Sequence, residues 1–148
     1  MSVAFRRDSD EEHREPRFEL PIPAGPNLVT PRGLRLTRER VAELEAALAG
    51  ATGDAREALA RTLRYWHTRA ITAVVAPSPA ADEVGFGSGV RVRMRSGERT
   101  FTIVGDDEAD PASGLIAWSA PLARALMGAM AGEEVAFAGE VVEVVAVG

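Results

Sequence analysis

The sequence contains no cysteine and no lysine, and the first of these absences excludes a class of chemistry. Without cysteine the chain can form neither a disulfide nor a thiolate metal site, which is typical of proteins in a reducing cytosol. The two histidines, His13 and His67, cannot form a multi-histidine zinc site. All 17 basic residues are arginine, which indicates a GC-rich coding bias more than a function.

Long apolar runs are also missing. No run approaches the roughly 18–20 residues that a membrane-spanning helix needs. The first residues, MSVAFRRDSDEEH, lack the apolar segment of a secretory signal. We therefore expect a cytoplasmic protein with no membrane partner. The 148 residues, 46% of them hydrophobic, suit one medium domain or a small domain with an appendage.

Charge is distributed unevenly along the chain. Residues 1–29 hold four arginines and six acids, residues 30–81 hold eight and five, and residues 82–148 hold five and eleven. A basic middle and an acidic end argue against one DNA-binding surface across the whole protein.

The composition predicts an extended or disordered N-terminal tail over residues 1–29. Its first part is dense in charges of both signs, and prolines at alternate positions then favour extended backbone. Five apolar residues could still attach the tail to the body or to a partner: Phe18, Leu20, Ile22, Leu28 and Val29.

Residues 30–75 predict a helical hairpin. Thr30 can cap a helix whose first position is Pro31. Apolar residues then recur every three or four positions, stop at the GATGD turn (50–54), and resume as a second seam. Each arm has about 20 residues and so measures about 30 Å. The narrow seam favours a protruding coiled coil over two helices lying flat on one core.

After a short linker, residues 76–82, the apolar period changes to two. Val90 and Val92 alternate with Arg91 and Arg93, which predicts a half-buried strand. Further strands and one helix, Pro121–Met127, complete an α+β domain over residues 83–148 with an antiparallel sheet.

Several motifs of this domain resemble a known family. VGFGSGVRVRM, RTFTIVGDDEADPASGLIAWSAPLARALMG and GEEV follow one another as in the C-terminal domain of the bacterial GreA/GreB transcript-cleavage factors. NLVTPRGL before the hairpin resembles the start of the same family's N-terminal domain. The resemblance covers roughly residues 27–147 and implies a coiled-coil hairpin followed by an FKBP-like domain.

The resemblance implies that the FKBP-like domain docks at the rim of the secondary channel of RNA polymerase, while the hairpin enters the channel. The docking residues so implied are Asp106, Asp107, Glu108, Asp110, Ser119 and Pro121. The sequence departs from the family at Ala120, where serine is usual, and at Ala129, where lysine is usual. Four acids in five positions also suit a hard-cation site, although a solvated turn is the simpler interpretation.

The hairpin tip carries two acids that the resemblance marks as catalytic. In the family, a pair of carboxylates at this place helps to hold a magnesium ion in the polymerase active site. Here GDAREA supplies Gly53, Asp54 and Glu57. The alternative is a capping box, in which Asp54 caps the second helix and Glu57 completes it. The arms also look shorter than in the cleavage factors, so the tip could fall short of the active site.

Arg64, Tyr65, Trp66, His67 and Arg69 form the only basic–aromatic cluster. Such a cluster could contact nucleic acid. The alternative places Trp66 in the hairpin seam and the arginines on the outer face.

We therefore expect a monomeric regulator of transcription elongation that binds RNA polymerase and meets nucleic acid only within that complex. It is not an enzyme by itself and needs no cofactor beyond magnesium held by the polymerase. A hairpin too short for transcript cleavage would make it a channel-occupying competitor. A remote alternative is a prolyl isomerase, for which the domain offers few aromatics: Phe86, Phe101, Trp118 and Phe137.

Overall fold

A computed structural model describes residues 19–148, so the predicted disorder of residues 1–18 lies outside the described residues. Residues 19–27 contain neither helix nor strand. Strand β1, Leu28–Val29, then leads into the first helix. Within residues 19–148, no helix is both long enough and apolar enough to cross a membrane.

Two helices form the predicted hairpin: α1, Pro31–Ala49, and α2, Gly53–Thr72. The Thr30 hydroxyl accepts a hydrogen bond from the backbone N–H of Gly33 at 2.9 Å, which confirms the predicted cap. Leu44 and Leu63 are buried along the hairpin. At the open end, strand β2, Val74–Val75, pairs with β1 in parallel, so this end of the hairpin is tied by main-chain hydrogen bonds.

The C-terminal domain is built on a five-stranded sheet in the order β5-β4-β3-β7-β6. Its strands are β3, Gly89–Met94; β4, Gly97–Val104; β5, Leu115–Ala117; β6, Glu134–Phe137; and β7, Glu140–Val147. All neighbours are antiparallel except β4 and β5, which run parallel. The predicted α+β class is confirmed, and the one parallel pair is a feature that the alternation of side chains did not predict.

One short helix, α3, Pro121–Leu126, covers a face of this sheet. Ala123 and Leu126 on the helix are fully buried, as are Val90, Val92 and Ile103 on the strands. Each fully buried aliphatic side chain of valine size or larger contributes about 1.5–3 kcal/mol of transfer free energy. The core of the domain therefore lies between α3 and the inward side chains of the sheet.

The loop after β4 joins the two halves of the molecule. It begins at Gly105, where an added Cβ would lie 2.4 Å from the backbone oxygen of Leu28 in β1. Such an approach is open only to glycine, because any side chain would meet the backbone of the hairpin base. The loop ends at a short 3₁₀ turn, Pro111–Ser113. The acids predicted to dock the polymerase therefore lie beside the hairpin base.

Candidate functional site

The acidic turn, residues 106–110, divides its four acids into two pairs. Asp106 accepts a hydrogen bond from the Ser119 hydroxyl at 2.6 Å, and Asp110 accepts one from the Ser113 hydroxyl at 2.8 Å. Both donors belong to the C-terminal domain, so these two carboxylates order the turn within its own domain. Asp107 and Glu108 instead contact the hairpin.

Asp107 lies in a polar network with the C-terminal half of α2. Its two carboxylate oxygens accept hydrogen bonds from the Tyr65 hydroxyl and from the Arg69 guanidinium. The Arg69 side chain is only 3% exposed and also donates to Asn27 Oδ1 at 2.8 Å. Asn27 Nδ2 in turn donates to the backbone oxygen of Arg69 at 2.8 Å. The network satisfies a buried charge with charge-assisted hydrogen bonds from two separate segments.

The surroundings of Tyr65 in this network raise the pKa of its hydroxyl. Burial raises the pKa of Tyr65 from 10.0 to about 12, and its hydrogen bond to Asp107 acts in the same direction. Both effects disfavour a phenolate, since it would lose hydration and face a carboxylate. Tyr65 therefore remains a hydrogen-bond donor over the physiological pH range.

Glu108 makes the second contact with the hairpin, at the start of α1. Its Oε1 accepts from the Thr30 hydroxyl at 2.6 Å, and its Oε2 accepts from Arg32 at 2.9 Å. The Glu108 side chain is 5% exposed. An added Cβ on Gly33 would lie 2.7 Å from Glu108 Oε1, so the helix start and the turn are in close contact.

The sequence predicts two possible roles for the acidic turn, a hard-cation site and a polymerase-docking surface. Within residues 19–148, no group of three or more acids and histidines is arranged to hold a metal ion. The docking role of the four acids stays a prediction, but the carboxylates of Asp107 and Glu108 already have partners in the hairpin. The hydrogen bonds of Asp106 and Asp110 lie at the exposed surface.

Ser119 and Pro121 lie at the start of α3, where Ser119 contacts Asp106, and both are exposed. Beside them is a groove of about 460 Å³. Its lining is Ala24, Trp118, Ser119, Arg124 and Met127. The sequence analysis did not single out Arg124 or Met127 for a site, because one basic and one apolar residue on a short helix carry no motif. The groove combines apolar surface with one cation and is suited to contact a protein surface.

The hairpin tip places Asp54 and Glu57 in the first two turns of α2, both exposed. The prediction that Asp54 caps the helix is wrong. The N-cap is Thr52, and its side chain makes no capping bond. The helix begins at Gly53, one residue before Asp54, and its first turn is closed by the backbone N–H of Arg56, which donates to the Thr52 oxygen at 3.4 Å. Gly53 has a φ of 62°, a left-handed value that favours glycine. The tip is closed instead by Arg56, which donates to the backbone oxygen of Leu48 at 2.7 Å.

The basic–aromatic cluster departs in part from the predicted arrangement, in which Trp66 lies in the hairpin seam and the arginines lie on the outer face. Trp66 is half-buried and meets Tyr65 edge to face at 5.2 Å between ring centroids. Arg64 lies on the outer face, where it pairs with Glu19, but Arg69 is buried against Asp107. Placing all the arginines on the outer face is therefore wrong for Arg69. The spacing of residues along the helix predicts the face on which Arg69 lies. It does not predict the partner of Arg69, because Asp107 is 38 positions away in sequence.

The C-terminal part of the chain is similar in sequence to known proteins. A family model described as "Transcription elongation factor, GreA/GreB, C-term" matches residues 78–147. Transcription elongation factor GreB of Neisseria meningitidis is 42% identical over 79 residues, which are 51% of this chain and 48% of that protein. Transcription elongation factor GreA of Vibrio parahaemolyticus is 59% identical over 39 residues, or 26% of this chain and 25% of that protein. The matched part of the chain thus spans about half the length of these relatives or less.

Two solved structures are similar over most of the chain. Gfh1 of Thermus thermophilus, a GreA factor homologue, covers 84% of this chain and 99% of its own, with 19% identity and a TM-score of 0.40. The GreA/GreB elongation factor of Nitrosomonas europaea covers 84% and 98%, with 24% identity and a TM-score of 0.41. The family model over residues 78–147 and the related GreA and GreB sequences are the stronger findings. The C-terminal part of the chain, residues 78–147, is thus similar to the C-terminal domain of the GreA/GreB family of transcription elongation factors.

Proposed function

We propose that this protein binds RNA polymerase and modulates transcription elongation, with its C-terminal domain docked at the rim of the secondary channel and its hairpin directed into the channel. The observation that carries the proposal is the GreA/GreB C-terminal domain at residues 78–147. Such a partner would place the protein in the bacterial cytoplasm and would bring it to nucleic acid only within the polymerase complex.

The docking surface is the groove at the start of α3, together with the exposed Ser119 and Pro121. Met127 is 39% exposed and adds apolar surface to this groove. Arg124 adds a cation at the same place. Asp106 joins this surface through its bond to Ser119. Asp107 and Glu108 contribute indirectly, since their carboxylates contact the hairpin.

The hairpin acts by one of two mechanisms, and the tip decides between them. In the first, the exposed carboxylates of Asp54 and Glu57 add to a magnesium site that the polymerase owns, which would stabilise charge during RNA hydrolysis. In the second, the hairpin only occupies the channel. Helix α1 has 19 residues and so spans about 28 Å. We favour channel occupancy, because the arms are short.

In either mechanism the protein is a regulator and not an enzyme. The prolyl isomerase alternative has no support from the placement of the aromatics. Phe86 and Phe101 are buried, and Trp118 and Phe137 pack against the core. Of these four aromatics, only Trp118 lines the groove at the start of α3, so that groove lacks the several aromatics that line the pocket of an FKBP-type isomerase.

The test of docking is a binding titration with purified bacterial RNA polymerase in a stalled elongation complex. The wild-type chain is expected to bind, and the double variant Arg124→Glu/Met127→Glu is expected to bind about tenfold or more weakly, as for loss of one interface hot spot. Val141→Glu is the matched control, since Val141 is 59% exposed and lies outside the groove. Equal loss in the control, or no binding of the wild type, would contradict the proposal.

The test of mechanism uses a backtracked elongation complex. Shortened RNA with the wild type that is lost in Asp54→Ala/Glu57→Ala supports cleavage through the tip. Binding without shortening, together with displacement of a true cleavage factor, supports channel occupancy.

A further inference from the structure

The contacts of the acidic turn connect two bodies that are otherwise joined by a short exposed segment. Residues 76–82 link the hairpin to the C-terminal domain and are mostly exposed, without helix or strand. Two glycines allow the turn to approach the hairpin closely, Gly105 against Leu28 and Gly33 against Glu108. The relative orientation of the two bodies therefore depends on what the turn contacts.

The turn contacts the hairpin at two separate points. Asp107 holds the C-terminal part of α2 through Tyr65 and Arg69. Glu108 holds the N-terminal part of α1 through Thr30 and Arg32. One contact would leave a rotation free, whereas two contacts on two different helices fix both the tilt and the rotation of the hairpin.

The burial of these groups makes the contacts specific. The side chains of Arg69, Glu108 and Asp107 are 3%, 5% and 13% exposed, respectively. Among the described residues, no buried side-chain nitrogen or oxygen lacks a hydrogen-bond partner. Rotating the hairpin away from the C-terminal domain would leave several of these groups without hydrogen-bond partners. Water could take the place of the lost partners only where the interface opened to solvent. A single orientation is thus favoured over a range of orientations.

We propose that Asp107 and Glu108, with Tyr65, Arg69 and Thr30, form an interdomain latch that holds the hairpin in one direction relative to the C-terminal domain. Asp107 and Glu108 are positioning residues in this proposal, because both act through their contacts with the hairpin. The functional consequence rests on the proposed function: docking of the C-terminal domain aims the hairpin only while the latch is closed.

The absence of cysteine allows a direct test. Spin labels on a cysteine pair, Ala46→Cys in α1 and Ala136→Cys in β6, report the distance between hairpin and domain, since both positions are exposed. Double electron–electron resonance on the otherwise intact chain is expected to give one narrow distance distribution. Asp107→Ala/Glu108→Ala should broaden that distribution about twofold or more, as expected when two charge-assisted contacts are lost.

Asp106→Ala/Asp110→Ala is the matched control, since it removes two acids of the same turn that bond only within their own domain. It is expected to keep the narrow distribution. Should the Asp107→Ala/Glu108→Ala chain fail to fold by circular dichroism, Asp107→Asn/Glu108→Gln keeps both side-chain volumes and weakens the same contacts by removing their negative charges. An unchanged distribution in the folded latch variant overturns the proposal.

A second measurement separates aiming from docking. In the latch variant, the hairpin-dependent effect, cleavage or displacement of a cleavage factor, should fall about tenfold when it is compared with wild type at equal occupancy of the polymerase elongation complex. A broadened distribution with a full hairpin effect would overturn the positioning role. If no version of the chain binds polymerase, the proposed function fails while the distance measurement still decides the latch.

Discussion

The base and the tip of the hairpin present similar charged residues in opposite surroundings. At the base, Asp107 and Arg69 are removed from water and bonded to each other. At the tip, Asp54 and Glu57 remain exposed beside Arg56. The difference shows that burial, more than residue type, decides whether a carboxylate stabilises the fold or can contact a partner. Four comparisons of buried and exposed groups test this conclusion.

The largest effect is expected for Arg69→Ala at the base. It leaves Asp107 and Asn27 without their shared donor, and removal of one partner from a buried ion pair costs about 3–5 kcal/mol of unfolding free energy. Urea unfolding followed by circular dichroism at 222 nm measures the change. Arg64→Ala on the same helix is the control, because the Arg64–Glu19 pair is exposed, and it should leave the midpoint unchanged. Equal losses would show that burial of Arg69 does not matter.

A smaller effect is expected for glycine substitutions at the two ends. Gly105→Ala places a Cβ 2.4 Å from the Leu28 oxygen, so the backbone must shift, at about 1–3 kcal/mol. Gly50→Ala at the tip meets no atom within 4 Å and keeps a negative φ of −102°. It should be neutral or stabilise by up to about 1 kcal/mol through the unfolded chain. Thermal unfolding of the two variants compares them, and similar midpoints would contradict close contact at the base.

The third comparison concerns pH, and it uses the only tyrosine of the chain. Because burial raises the pKa of Tyr65 to about 12, protonated Tyr65 contributes stability that is complete below pH 10 and is lost as pH rises through about 12. Absorbance at 295 nm measures its ionisation. Asp107→Ala should lower the pKa toward 10.0, because the hydrogen bond and the negative charge both disappear. Asp110→Ala should not change it; an equal effect there would exclude a specific contact.

The comparison also shows which features of the fold could be predicted from sequence. The strands of the C-terminal sheet were predicted because a half-buried strand imposes a period of two, as in Val90 and Val92. The pairing of β1 with β2 was not predicted, since two-residue strands are too short to show a period. Thr30 was predicted as a cap because capping is local. Its second bond, to Glu108, joins residues 78 positions apart.

At the candidate site, too, the sequence does not reveal contacts between segments that are far apart along the chain. Resemblance marked the acidic turn as a docking surface, and the turn does lie close to Ser119. It could not assign Asp107 to the hairpin, because only the fold brings that carboxylate to Tyr65 and Arg69. Local patterns therefore predicted the elements, whereas contacts between distant segments, which decide whether a charge is buried, required the structure.

The smallest effect on stability is expected at the tip. Asp54→Asn removes one negative charge from the first turn of α2, and such a charge is worth about 0.3–1 kcal/mol near a helix N-terminus. Because Thr52 is the N-cap, the substitution removes no capping bond. Urea unfolding should therefore show a loss several times smaller than that of Arg69→Ala. A loss as large as that of Arg69→Ala would mean that the tip acid is architectural, as the base acids are. A small loss together with an altered response of a backtracked polymerase complex would instead identify Asp54 as a side chain kept at the surface for a partner.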